Sequence, residues 1–171
     1  MTHGFDPEMI RIAASSNLIG GRRVMGNAAK RPVLRPSDGI QYATLDCASS
    51  AQVEEAVNDS YNAYRHSGWA KADPRDRMRV MRRWADLIDA DMDNLAPLEA
   101  LGSTRNITEI RAWDINYSAE CIRFFAEFAD KHGGEIGATT PNKLGFTLTE
   151  PYGVIAAIAP WNHLIPCRTQ K

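Results

Sequence analysis

The chain has 171 residues, a formal net charge of −1 and 24% charged residues, enough for one ordinary domain with a buried core. Acidic and basic residues are interspersed, so the composition gives no general electrostatic reason to bind nucleic acid or a membrane surface, and neither is expected as a partner. Cys47, Cys121 and Cys167 lie far apart and in no metal-ligand spacing, which points away from a disulfide framework or a zinc site and toward a reducing, cytoplasmic setting.

From Met1 to Ser16 the apolar residues follow no clear period, and the segment reads as a loosely held leader. It carries Asp6 and Glu8, and the longest later apolar run, Val154 to Ala159, is far too short to cross a bilayer, so no export or membrane signal is visible. Between Asn17 and Val24, Gly20-Gly21 separates two short apolar-containing stretches, the pattern of a hairpin whose turn needs positive φ. Pro32, Pro36 and the Ser37-Asp38-Gly39 turn break up the next stretch, leaving one short strand over Tyr42 to Leu45.

The chain then becomes helical. Ser49 and Gln52 form a capping box ahead of an i, i+3/i+4 stripe of Val53, Ala56, Val57, Tyr61 and Tyr64, and Gly68 is the expected stop. Asp73-Pro74 opens a second helix with Met78, Met81, Trp84, Ala85 and Ile88 on one face. Pro97 and Gly102 bracket a short helical turn around Leu98 and Leu101. A long helix follows from Ile107, with Ile110, Tyr117, Cys121, Phe124 and Phe128 on one stripe, until Gly133-Gly134 ends it.

Past Glu135 the period changes. Leu144, Phe146 and Leu148 alternate with Gly145, Thr147 and Thr149, as in a strand with one covered face. After Pro151-Tyr152-Gly153, the run Val154 to Ala159 is continuously apolar, as in a strand buried on both faces of a parallel sheet. Ligands of open α/β sheets bind beyond the carboxyl ends of such strands, which places Pro160-Trp161-Asn162 where a cofactor or substrate belongs. Trp161 follows a strand end rather than a helical stripe and reads as a site residue, whereas the Phe124/Phe125/Phe128 cluster reads as core.

Several sharper patterns give way to plainer ones. His163 and Cys167 stand four apart, but Pro166 opposes the helix that would join them as a nucleophile pair, and two ligands are too few for zinc. Gly133, Gly134 and Gly137 ahead of Lys143 lack the phosphate-loop spacing and read as a helix stop and a turn. Arg75, Arg79, Arg82 and Arg83 cluster on one helix, yet Asp76 and Asp86 stand at pairing distance, so a solvated, ion-paired face is expected.

The ordered blocks from Asn17 to Asn162 resemble the aldehyde dehydrogenase superfamily. They are Gly20, Gly68-Trp69-Ala70, Arg75-Asp76-Arg77, Leu98-Glu99-Ala100-Leu101-Gly102, Phe124-Phe125-Ala126-Glu127-Phe128-Ala129-Asp130, Gly133-Gly134-Glu135, Glu150-Pro151-Tyr152-Gly153-Val154-Ile155 and Ala159-Pro160-Trp161-Asn162. The resemblance implies an α/β fold: an incomplete Rossmann-like cofactor-binding domain with a helix-rich N-terminal half and a projecting β-arm. On that reading 1–16 is a leader, 17–134 the helical part, 135–153 the arm, 154–162 the first buried strand with its motif, and 163–171 an atypical tail. It also implies oxidation of an aldehyde to a carboxylic acid with NAD or NADP. Asn162 would donate its side-chain amide to the aldehyde oxygen, and Ile158, Ala159, Pro160 and Trp161 would line the cofactor. The arm, Lys143 to Tyr152, would pair with another subunit by edge-strand addition, making the partners an aldehyde, a nicotinamide cofactor and a second subunit.

The family's cofactor-binding lysine, glycine-rich turns, general-base glutamate and nucleophilic cysteine find no counterpart here. The tail His163 to Lys171 resembles a frameshifted or prematurely ended reading, so the chain alone is expected to be inactive. An interaction module using the arm is the alternative, and a hydrolase built on Cys167 a third idea. A lone parallel strand without neighbours further predicts poor solubility or partial disorder after Glu135.

Overall fold

The computed structural model describes residues 5–160. The start of this span is tied down more firmly than its composition suggests. A 3₁₀ turn, Pro7–Met9, is capped by Asp6, and Glu8 reaches Arg35 Nη1 at 2.7 Å. Further along, the Ser15 hydroxyl accepts from the Asp46 N–H at 2.9 Å.

Strands β1 (Asn17–Ile19) and β2 (Arg22–Val24) form the expected hairpin, and Gly20 and Gly21, at φ +58° and +71°, supply the left-handed turn. A second antiparallel pair joins β3 (Lys30–Leu34) to β4 (Gln41–Asp46), with a register shift at Val33/Leu34. The sequence showed only β4, because Pro32 argues against a strand. A two-stranded ribbon has edges on both sides, so a proline facing outward costs no ladder bond.

Helix α1 (Ser50–His66) starts at the anticipated capping box. Gln52, 7% exposed, also does a second task. Its Oε1 accepts from Asn27 N–H at 3.1 Å and Ser49 N–H at 3.3 Å, while its Nε2 donates to Met25 O at 2.8 Å. One side chain therefore caps the helix and clasps the link between the two sheets.

Helix α2 (Pro74–Ala90) opens at Asp73-Pro74 as the sequence predicts, with Asp73 Oδ1 accepting from Arg75 N–H at 2.8 Å. It buries Ala85 and Ile88, with Met81 packed alongside, but leaves Trp84 half-exposed. Pro97 falls inside α3 (Met92–Gly102) rather than at its border, and burial of Ala96 and Leu101 on either side holds the helix across it.

The next helical run departs most from expectation. A single turn, α4 (Ile107–Glu109), leads into a π-helical turn, Ile110–Asp114, before α5 (Ile115–Glu127). A 3₁₀ turn, Phe128–Asp130, then ends the run before Gly133-Gly134. In a continuous α-helix Ile110 and Ile115 would point roughly 140° apart. Here the Ile115 N–H bonds to Ile110 O, five residues back, and both side chains are fully buried. The extra residue rotates everything after it. Buried positions on α5 are Ile115, Ser118, Ala119, Ile122 and Ala126, whereas Tyr117, Phe124 and Phe128 of the expected stripe, and Phe125 beside them, are about half-exposed.

The core lies where α2, α3 and α5 meet: Ala85, Ile88, Ala96, Ile110, Ile115, Ala119 and Ile122. Arg123 locks the outer edge of this packing. Its guanidinium contacts Asp86 at 2.8 Å and Asp89 at 2.6 Å on α2, and Glu120 at 3.0 Å on its own helix.

Beyond Asp130 two expected strands are absent as such. Residues 135–147 double back as a loop closed by one antiparallel bridge, Ile136 to Phe146, and by Gly137 N–H to Gly145 O and Thr147 N–H to Glu135 O, both 2.9 Å. Leu144, Phe146 and Leu148 are exposed, so the alternation has no covered face among the described residues. The run 154–159 carries no strand pairing, and Ile155 and Ile158 are exposed. A parallel strand exists only through neighbours on its edges, and no other described segment lies beside this one in a ladder.

Ile115→Ala should lower the unfolding free energy by about 2–5 kcal/mol in urea titration, whereas Leu144→Ala should change it by no more than about 0.5 kcal/mol. Equal effects would mean that the core is elsewhere. A pH test addresses the turn between β3 and β4. The Ile40 N–H donates to Asp38 Oδ1 at 2.9 Å and, with Arg35, holds the Asp38 carboxyl below its ordinary range. A lowered folded-state value means full stabilisation above the unfolded value and loss as pH falls through the folded one. The Tm gap between wild type and Asp38→Asn should therefore shrink below the ordinary aspartate value of about 3.9.

Candidate active-site segment

The chain reaches the predicted site through Gly153, whose φ of +95° is a left-handed conformation. From there Val154 to Pro160 carries no helix or strand pairing among the described residues. Ile158 is 85% exposed, Pro160 is exposed and Ala159 is part-buried. Ile158 and Pro160 therefore offer apolar surface to solvent, a chemistry that suits one wall of a flat cofactor but does not enclose it. Trp161 and Asn162 lie outside the described residues, as do His163 and Cys167.

The start of the segment borders a groove of about 680 Å³ between the β1–β2 hairpin and α1. Leu18, Val53, Val57, Val154 and Ile155 give it apolar walls, and the groove stops short of Ile158. Asn17 also lines it, and the Asn17 Nδ2 is buried with no hydrogen-bond partner among the described residues. A buried donor left unpaired costs about 1–3 kcal/mol.

Sequence patterns had singled out neither Asn17 nor Tyr64, which packs against Gly153. Asn17 read as the first residue of a hairpin, and Tyr64 as one more member of a helical stripe. Only the approach of distant segments gives either residue its place beside the site. No local period carries that information.

Other clusters resolve into structural pairs. Arg75 meets Asp130 at 3.5 Å and Arg79 meets Asp76, in line with an ion-paired face. Asp86, however, is taken by Arg123 rather than by Arg82. No group of three or more metal-ligating side chains occurs among the described residues, and no described helix is long and apolar enough to cross a membrane.

The family model for aldehyde dehydrogenases matches residues 24–169, most of the chain. The chain belongs to the aldehyde dehydrogenase family. Human mitochondrial 10-formyltetrahydrofolate dehydrogenase is 37% identical over 134 residues, covering 76% of this chain and 14% of that protein. The NADP/NAD-dependent aldehyde dehydrogenase PuuC of Escherichia coli K12 is 35% identical over 127 residues, covering 74% of this chain and 26% of the enzyme. Among solved structures, gamma-glutamyl-gamma-aminobutyraldehyde dehydrogenase from Burkholderia cenocepacia superposes with a TM-score of 0.87 at 30% identity, over 95% of this chain and 33% of its own. An indole-3-acetaldehyde dehydrogenase of P. syringae, in complex with NAD+ and IAA, gives the same TM-score at 27% identity.

This member of the aldehyde dehydrogenase family thus has the expected α/β architecture, the helix-rich N-terminal half of an incomplete Rossmann-like domain. NAD or NADP is the family's cofactor. The chain spans about a third of the length of its structural neighbours and less of its curated relatives.

The lack of helix or strand pairing at 154–157 has a direct consequence for exchange. Amide hydrogens of Val154 to Ala157 should exchange with deuterium much faster than those of Ala119 to Ala126, which should be protected. Protection of Val154 to Ala157 equal to that of α5 would show these amides to be paired.

Proposed function

We propose that this chain is the N-terminal portion of an NAD(P)+-dependent aldehyde dehydrogenase, which oxidises an aldehyde to a carboxylic acid. The observation that carries this reading is the family match across residues 24–169, joined to superposition over 95% of the chain on solved aldehyde dehydrogenases. In the overall reaction a hydride leaves the aldehyde carbon, and water adds its hydroxyl to that carbon while its other proton is released to solvent. The cofactor, when bound, accepts that hydride.

The residues of this chain take two roles in the proposal. Asn162 donates its side-chain amide to the aldehyde oxygen as negative charge develops there. A neutral amide suits this task, because it stabilises the oxyanion without giving up a proton. Ile158, Ala159, Pro160 and Trp161 form one wall for the cofactor through apolar surface and backbone groups. The exposure of Ile158 and Pro160 leaves that strip open to a ligand.

One oxyanion donor and one wall do not make a catalyst. The 171 residues hold no cysteine or glutamate that the family resemblance assigns as nucleophile or base, so the chain by itself is proposed to be inactive. Cytoplasm is the proposed compartment, supported by the free thiols of Cys47 and Cys121.

A second reading is favoured by the loop at residues 135–148, where Ile136, Leu144, Phe146 and Leu148 are all exposed. On that reading the arm at 143–152 pairs with a full-length subunit by adding a strand to its sheet edge. Purified chain with NAD+ or NADP+ and a panel of aldehydes should give no reduced cofactor, followed by the near-ultraviolet absorbance of the reduced nicotinamide. Appreciable turnover would overturn the inactive-portion reading. Co-elution with a full-length aldehyde dehydrogenase, lost on Phe146→Lys, would support the arm; elution apart from it would count against pairing.

A further inference from the structure

Among the described residues none forms a ladder with 154–160, so the point at which this segment leaves the folded body matters. That point is Gly153. A Cβ placed there would lie 3.4 Å from both Cδ1 and Cε1 of Tyr64 and 3.8 Å from Cγ, so one glycine α-hydrogen points at the ring. The φ of +95° excludes ordinary side chains for a separate reason, backbone strain. Two constraints therefore meet at one residue: a backbone conformation that glycine adopts freely, and an aromatic surface that seats it.

Tyr64 is well placed for this and not otherwise occupied with the core. It sits on the last turn of α1, part-buried, with the Tyr61 ring 6.5 Å away at 46°. Gln52 is the buried residue of α1, whereas the apolar core belongs to the later helices. The Tyr64 atoms nearest Gly153 are ring carbons rather than the hydroxyl. Shape and apolar surface, not hydrogen bonding, make the contact.

We propose that Tyr64 is a positioning residue for the active-site segment: its ring seats the left-handed turn at Gly153 and so sets the direction in which residues 154–160 leave. The inference rests on the function proposed above only for what that segment carries, the cofactor wall and the approach to the oxyanion donor. The contact itself stands on the Gly153 and Tyr64 geometry. A phenyl ring at position 64 would preserve it, and an aliphatic side chain would not.

Proton NMR of the ligand-free 171-residue chain tests the proposal directly. In wild type, the ring current of Tyr64 should shift one Gly153 α-hydrogen away from its geminal partner. Tyr64→Phe should keep that splitting. Tyr64→Leu should abolish it and move the amide resonances of Val154 to Ala159, leaving the methyls of Ile110, Ile115 and Ile122 in place. A merely structural residue would move core and segment together. Near-equal α-hydrogens in wild type would overturn the proposal, as would unmoved Val154 to Ala159 amides in the leucine variant. Loss of the core methyl signals in that variant would overturn it too, since Tyr64 would then be holding the core, and the wild-type and phenylalanine spectra still decide whether the ring contact exists. None of these signals depends on aldehyde turnover, so failure of the catalytic reading leaves them unchanged, and failure here leaves that reading standing.

Discussion

The helical body depends on one local departure from α geometry, the π turn at Ile110–Asp114. By bonding Ile115 N–H to Ile110 O it brings two isoleucines five residues apart onto the same buried face. The α5 residues after it inherit the rotation, so Ala119, Ile122 and Ala126 meet α2 while the aromatic stripe turns outward. Two polar contacts hold the turn. Ser118 Oγ donates to Asp114 O at 2.6 Å, and Arg105 Nε meets the buried Asp114 carboxylate at 2.7 Å. A π turn is less favourable than α geometry in isolation, and the burial of both isoleucines offsets that.

This packing also explains how the molecule divides. The later helices supply the core, and Arg123 ties α5 to α2 through the carboxylates of Asp86 and Asp89. The N-terminal hairpins and α1 are held to one another by polar contacts, among them those of Gln52 to Asn27 and Met25. The segment proposed to carry the site begins at Gly153, which packs against Tyr64 of α1. On the proposal above its aim is set by α1 and not by the core.

The same arrangement bears on chemistry. An oxyanion donor acts through being held in place before charge develops, and a cofactor wall acts through a flat surface at a set angle. Both demands concern the direction of backbone more than the identity of distant side chains. On the function proposed above, a short left-handed turn with an aromatic seat would serve both with few residues.

Much of the local structure was legible in the residues alone. Ser49 with Gln52, Asp73 with Pro74, and Gly20-Gly21 each specify their cap or turn through atoms two to four positions apart, and each forms as expected. Family membership was likewise readable, because ordered motifs from Gly20 to Asn162 need no knowledge of packing. What tertiary structure decided was which faces are covered. The stripe through Tyr117, Phe124 and Phe128 has a sound helical period, yet one added residue in the π turn moves burial to Ile115, Ile122 and Ala126. Asp86 pairs with Arg123 in place of Arg82, which is nearer in sequence, because α5 packs against α2 there. The apolar run 154–159 has a strand's composition, but a strand is a relation between segments, and hydrogen bonding across a sheet edge is not encoded in the run itself.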